Sequence, residues 1–166
     1  GKSSTLNFLF NYAGIDYQTP GGLTLEQVTE NRRQARPATR FTASAIEQQA
    51  GIKQQMLLTG VSNEWKISKK WTNTTSFFST NSHLENPFIT NYEIRSEQSA
   101  GGRTRFSFTT KIGETRLTSQ VGSEWIFTGS VFETYLNNKG LLGTSLGIEA
   151  VKATQGIVFG QLEFTF

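Results

Sequence analysis

The sequence holds one histidine, His83, and no cysteine. A Ser-His-acid triad, or a metal site built on histidine or thiolate, would therefore rest on that single side chain. His83 falls in an expected loop beside Asn81, Ser82 and Glu85, where a solvated role is the simpler one. Glu26 and Glu30 mark one face of a short helix and do not form an opposed acid–base pair. Gly101-Gly102 and Gly140 stand near strand–loop borders, where they serve backbone geometry, and no phosphate-binding glycine loop occurs. Catalysis, a metal and a cofactor are accordingly not expected. The one cluster suited to a ligand is Tyr17, Arg32, Arg33, Arg36 and Arg40. It offers an aromatic ring and several guanidinium forks, which match the paired oxygens of carboxylate or catecholate groups.

The elements that must carry this cluster show a period of two. Leu6, Phe8, Phe10 and Tyr12 alternate with Asn7, Leu9 and Asn11, which predicts a strand over 5–13. An irregular segment follows over 14–49, with Pro20-Gly21-Gly22 and Arg36-Pro37 as breakers and a short helix within 23–33. Further strands are expected over 52–67, 71–82, from about 89 to 112, 117–134 and 154–166. The connections between them then run long, short (Ser68-Lys69-Lys70), medium (83–88), short (113–116) and long (135–152). Putting the tight turns at one end of the sheet is the habit of outer-membrane barrels, whose turns are short on one side and loops long on the other.

The hairpin at Gly113 allows a register to be written. If Ile112 pairs with Leu117, then Phe108 faces Val121, Phe106 faces Ser123 and Thr104 faces Trp125 on one side. Arg105 then faces Glu124 on the other, with Ser107 against Gly122 and Thr109 against Gln120. That register separates apolar from polar and places opposite charges across from each other. Trp65 and Trp71 flank the Ser68 turn, as an aromatic girdle at a membrane interface would. Alternation alone would equally suit the inward residues of a soluble β-sandwich.

Composition narrows the choice. Charged residues are 17% of the chain, against the roughly 25% usual in soluble domains, while Ser, Thr, Asn and Gln are abundant and Phe numbers 13. The lack of cysteine excludes a disulfide scaffold and fits passage through an oxidising periplasm. The net charge of +3 and pI of about 9.3 come from scattered residues with no basic stripe, which argues against nucleic acid. There is no apolar run long enough for a transmembrane helix and no signal peptide at the start, so the sequence is expected to be a piece of a longer, exported protein.

Three passages carry a family resemblance. Asp16-Tyr17-Gln18-Thr19-Pro20-Gly21-Gly22-Leu23-Thr24, with Asn31-Arg32-Arg33-Gln34-Ala35-Arg36-Pro37, looks like the first long extracellular loop of a barrel. Glu47-Gln48-Gln49-Ala50-Gly51-Ile52 looks like the descent from it, and Glu85-Asn86-Pro87-Phe88-Ile89-Thr90-Asn91-Tyr92-Glu93 like the next loop and strand. In order and spacing they resemble TonB-dependent outer-membrane receptors of the ferric-siderophore type found in Bacteroidetes-like bacteria.

The resemblance implies an all-β fold, an antiparallel meander of about six strands that is part of a transmembrane barrel of about 22. On this reading residues 1–166 are one barrel segment without plug domain or TonB box, and no enzyme. The implied function of the whole is binding and import of an iron-siderophore or similar nutrient with TonB-transduced energy. Its partners would be the ferric siderophore, TonB through an absent N-terminal region, and outer-membrane lipid. Tyr17, Arg32, Arg33, Arg36 and Arg40 would then contact ligand, unless they salt-bridge within the loop or touch lipopolysaccharide. The isolated segment is expected to self-associate through its open edges. The alternative is a complete soluble lipocalin-like barrel around a hydrophobic ligand, which needs about eight strands and a consistently apolar interior.

Overall fold

The computed structural model describes residues 3–166 as six strands and one short helix; Gly1 and Lys2 lie outside the described residues. The strands are β1 (Ser3–Gln18), β2 (Gly51–Lys66), β3 (Trp71–Pro87), β4 (Asn91–Ile112), β5 (Thr115–Asn138) and β6 (Leu141–Thr165). Each pairs antiparallel with its sequence neighbour, giving one sheet in the order β1-β2-β3-β4-β5-β6. The sheet is open, with β1 and β6 as its edges, so it does not enclose the ligand cavity of a lipocalin-like barrel. No helix among the described residues is long and apolar enough to cross a membrane, which says nothing about strands.

The connections differ from the sequence expectation at the distal end. The loop expected over 135–152 is instead the end of β5, a tight turn at Lys139-Gly140 and the first half of β6. Both turn residues take positive φ (55° and 84°), the type I′ pattern that matches strand twist. The medium loop expected over 83–88 also shrinks, because β3 continues to Pro87 and only residues 88–90 turn. One long connection therefore remains, residues 19–50, and the asymmetry between the two ends of the sheet rests on it alone. Its helix α1 (Leu25–Asn31) is held by a capping box, with the Thr24 hydroxyl accepting from the Gln27 N–H and the Gln27 side chain accepting from the Thr24 N–H.

The β4–β5 register is shifted by two from the one written above. Gly113, at φ 64°, and Glu114 form a two-residue turn, so Ile112 pairs with Thr115. Arg103, not Arg105, faces Glu124, at 3.8 Å between Nε and Oε2, while Arg105 faces Gly122. A shift of two preserves every side chain's face, so the sorting of the two faces survives the correction.

The sheet has almost no core. Among the described residues the buried hydrophobics are Ala45, Ala50, Ile89 and Tyr92, all at the long-loop end. The chain exposes 11660 Å². A compact water-soluble monomer of this mass would expose about 8,200 Å², so roughly 3,500 Å² awaits a cover.

Candidate functional site: a two-faced sheet and its capped end

Following the pairing across the sheet assigns each side chain to a face. One transverse row reads Phe8, Val61, Phe77, Gly102, Trp125, Gly156; the next reads Phe10, Thr59, Ser79, Ala100, Phe127, Thr154. Leu6, Tyr12, Leu57, Trp65, Trp71, Phe106, Phe108, Leu117, Val121, Val158, Leu162 and Phe164 lie on this same face, and all three tryptophans are among them. The face is exposed: Phe8 by 78% and Val158 by 80%. It carries no charge over residues 57–65 of β2, 71–79 of β3, 100–108 of β4, 117–127 of β5 and 154–164 of β6. These are the roughly 9–11 residues that a tilted strand needs to cross a hydrocarbon core. Charge returns at the long-loop end in a single row, Asp16, Lys53, Glu85 and Glu133, and at Lys152 of β6.

Asn73, Thr75 and Thr104, inside this strip, bond one another. Asn73 Nδ2 donates to Thr104 Oγ1 at 3.1 Å and to the Arg105 carbonyl at 3.2 Å, and Thr75 Oγ1 donates to Asn73 Oδ1 at 3.0 Å. Such closure is what a polar group needs where water is scarce. The glycines of the strip serve packing: a Cβ at Gly102 would lie 2.8 Å from the Trp125 ring and 2.9 Å from the Phe77 ring, so these two aromatics close over its backbone.

The reverse face carries two ion pairs. Besides Arg103 and Glu124, Arg95 bonds Glu93 at 2.7 Å, and Ser130 Oγ donates to Glu97 Oε2 at 3.0 Å. Arg103 also lies over Phe159 and Arg95 over Phe132, at 4.9 and 4.8 Å from the ring centroids.

At one end the long loop is fastened to both neighbouring turns. Asn137 is the buried hub: its Nδ2 donates to the Gln48 carbonyl at 2.8 Å and to the Phe88 carbonyl at 2.5 Å, and its Oδ1 accepts from the Gly140 N–H at 2.8 Å. Gln48 Oε1 accepts from the Lys139 N–H at 2.9 Å, and Lys139 Nζ pairs with Glu47 at 3.3 Å. Ile89, from the β3–β4 turn, fills the space between Ala45 and Gly21. Tyr92 closes the other side by donating to Glu85 at 2.7 Å, and its phenol is pushed up to about 12 by burial first and the Glu85 carboxylate second. None of this hub was foreseen, because residues 135–152 read as a loop.

The five expected ligand residues sit at this end without being drawn to a single point. Tyr17 is an exposed residue of β1, and Arg32 caps the C-terminus of α1. Arg36 is half-buried, its N–H donating to the Pro20 carbonyl at 2.7 Å and its carbonyl accepting from Ala45 N–H at 3.0 Å. Arg33 and Arg40 are exposed, and Arg40 lies over the Phe41 ring at 5.7 Å. Among the described residues none of these guanidiniums has a carboxylate partner within ion-pair distance. His83 is a strand residue of β3, not a loop residue, with Nδ1 3.2 Å from Ser96 Oγ and Nε2 3.6 Å from Glu85. Ser96 belongs to an interior strand whose N–H groups are spent on the ladder, which leaves no pair beside it to hold an oxyanion. No cluster of potential metal ligands occurs among the described residues. No family model matches the chain, and no curated protein is similar enough to count as a relative.

Proposed function

We propose that this chain is part of the wall of an outer-membrane β-barrel, in a TonB-dependent receptor that imports an iron-siderophore or similar nutrient. The observation that carries the membrane assignment is the exposed, uncharged, aromatic strip of membrane-crossing length on one face, opposite a face with two ion pairs. Lipid covers the strip, and the charged face lines the lumen. Trp65 and Trp71 sit beside the 67–70 turn, where an interfacial girdle belongs. The strands overrun the strip toward the long-loop end, which on this reading stands clear of the membrane outside the cell. The edges of β1 and β6 pair with further strands of the barrel, or with other copies when the chain is alone. No catalytic step is assigned to it.

The receptor assignment rests on the resemblance of the loop passages and on the four arginines without acidic partners at that end. Tyr17, Arg32, Arg33, Arg36 and Arg40 contact an anionic iron chelate there, and TonB acts through a region outside this chain. These 166 residues contain no cysteine, so single cysteines introduced among them can be compared directly. In outer-membrane preparations from cells making the protein, Cys at Phe8, Phe77 or Leu162 should resist a water-soluble maleimide. Cys at Ser76, Ser99 or Glu124 should react. Equal reaction on both faces would reject the barrel-wall assignment.

A further inference from the structure

Where the uncharged strip ends, the sheet surface dips. Gly129 of β5 lacks a side chain, and a Cβ built there would meet nothing within 4 Å. Ala100 on β4 and Ala150 on β6 lie diagonally from it, so small residues on three adjacent strands form much of the floor, with Gln98 directly across on β4. Phe127 and Val131, both partly exposed, rise on either side along β5. The result is an open groove of about 640 Å³, within the usual range for a small-molecule or acyl site.

At its rim stands Lys152, directly across from Gly129. Lys53, also on this face, has Asp16 across on one side and Glu85 on the other. Lys152 has no acid across from it, and among the described residues it makes no ion pair. The nearest acid along β5 on that face, Glu133, is about 14 Å further along the strand. A cation with no acidic partner among the described residues thus stands over a mostly apolar trough, at the level where the strip gives way to charge.

We infer that this groove is a binding site for one anionic lipid, an acyl chain lying over Gly129 and its phosphate meeting the Lys152 ammonium. The inference rests on the barrel-wall reading and adds a site to it. The trough suits a flexible chain because Gly129, Ala100 and Ala150 keep its floor low, and Lys152 can lay its own methylenes along Phe127 while its charge reaches the headgroup plane. A phosphate bound without its chain would leave the apolar floor in water, so the lipid and not free phosphate is the fitting occupant.

The test uses the full chain in phosphatidylcholine vesicles, with Phe127→Trp as the one fluorophore in a Trp65→Phe, Trp71→Phe, Trp125→Phe background. Quenching by brominated phosphatidylglycerol is compared with quenching by brominated phosphatidylcholine. The phosphatidylglycerol preference should be about five-fold, the size expected for one lysine at an anionic surface. Lys152→Gln should reduce it to unity with the fluorophore still quenched by both lipids, and Gly129→Leu, which fills the floor, should weaken quenching by phosphatidylglycerol. Inorganic phosphate at matched ionic strength should displace nothing. Equal quenching by the two lipids in the lysine-bearing protein, or a preference that survives Lys152→Gln, would overturn the lipid site while leaving the barrel wall intact. Displacement by inorganic phosphate would overturn it in favour of a free-anion site. A fluorophore untouched by either lipid would instead reject the membrane reading beneath it.

Discussion

Replacing Asn137 with alanine should free the long loop while sparing the sheet. The side chain makes three hydrogen bonds, to the carbonyls of Gln48 and Phe88 and from the Gly140 N–H. At about 0.5–1.5 kcal/mol net each, their loss costs about 2–4 kcal/mol. The loop-opening equilibrium then shifts by about 30- to 700-fold. Asn137→Asp should be worse than alanine, since it keeps the acceptor for Gly140 but turns a carboxylate oxygen toward two carbonyls. Hydrogen exchange gives the readout residue by residue. The amides of Thr19, Ala45 and Ala50, bonded within or at the foot of the loop, should lose protection. Those of Phe77 and Gly102 in the sheet interior should not. Protection in the loop that is unchanged in Asn137→Ala, or lost equally throughout the sheet, would refute the assignment of Asn137 as the fastener between loop and turns.

Other consequences are open to direct measurement. The cysteine pair Arg103→Cys, Glu124→Cys should crosslink on oxidation, since directly paired strand positions lie within disulfide reach; Arg105→Cys with Glu124→Cys should not, and efficient crosslinking of that second pair would restore the earlier register. Gly122→Val should cost about 1–3 kcal/mol in a denaturant titration, because its Cβ would stand 2.5 Å from the Thr104 carbonyl oxygen, whereas Gly129→Ala meets nothing and should be near neutral. In a spectrophotometric titration Tyr92 should ionise well above the usual phenol range. Its phenol is raised from 10.0 to about 12, so the folded state holds the proton more tightly than the unfolded one. The stability this contributes is complete below pH 10 and lost as the pH rises toward 12. Arg33→Ala should weaken uptake of iron from an anionic chelate by about ten-fold if its guanidinium meets the ligand, and unaltered uptake would remove it from the site.

Much of the sheet could be read from the residues because a period of two leaves a strong mark where one face is uncharged. Leu6, Phe8, Phe10 and Tyr12 share a face as the alternation predicts, as do Phe106, Phe108, Val121 and Trp125, and Trp65 and Trp71 flank the turn expected between them. The register was less legible: moving Arg105 to Arg103 opposite Glu124 changes no side chain's face, so hydrophobic sorting cannot distinguish the two. What decides it is the Gly113 turn, whose positive φ allows a two-residue connection. The first half of β6 and the turn before it, expected as part of a long connection, contain glycines at 140, 143 and 147 that weaken the strand pattern there. The first of these in fact belongs to a type I′ turn, and the other two lie in an exposed edge strand. Asn137, the hub of the capped end, disappeared into the same misread segment. The loop arginines were legible as cations, but their spatial arrangement depends on Pro20, Gly21 and Ile89, contacts that no local pattern discloses.

The proposal that lipid covers the uncharged strip is most directly tested by its three native tryptophans. All lie on that face, and Trp71 stands at the turn while Trp125 lies well inside β5. In bilayers carrying bromine at graded depths, single-tryptophan proteins should all be quenched by lipid and spared by aqueous acrylamide. Trp71 should respond most to bromine near the headgroups, and Trp125 to bromine deeper along the chains. Tryptophans quenched by acrylamide and indifferent to bromolipid would contradict the assignment of this face to the membrane.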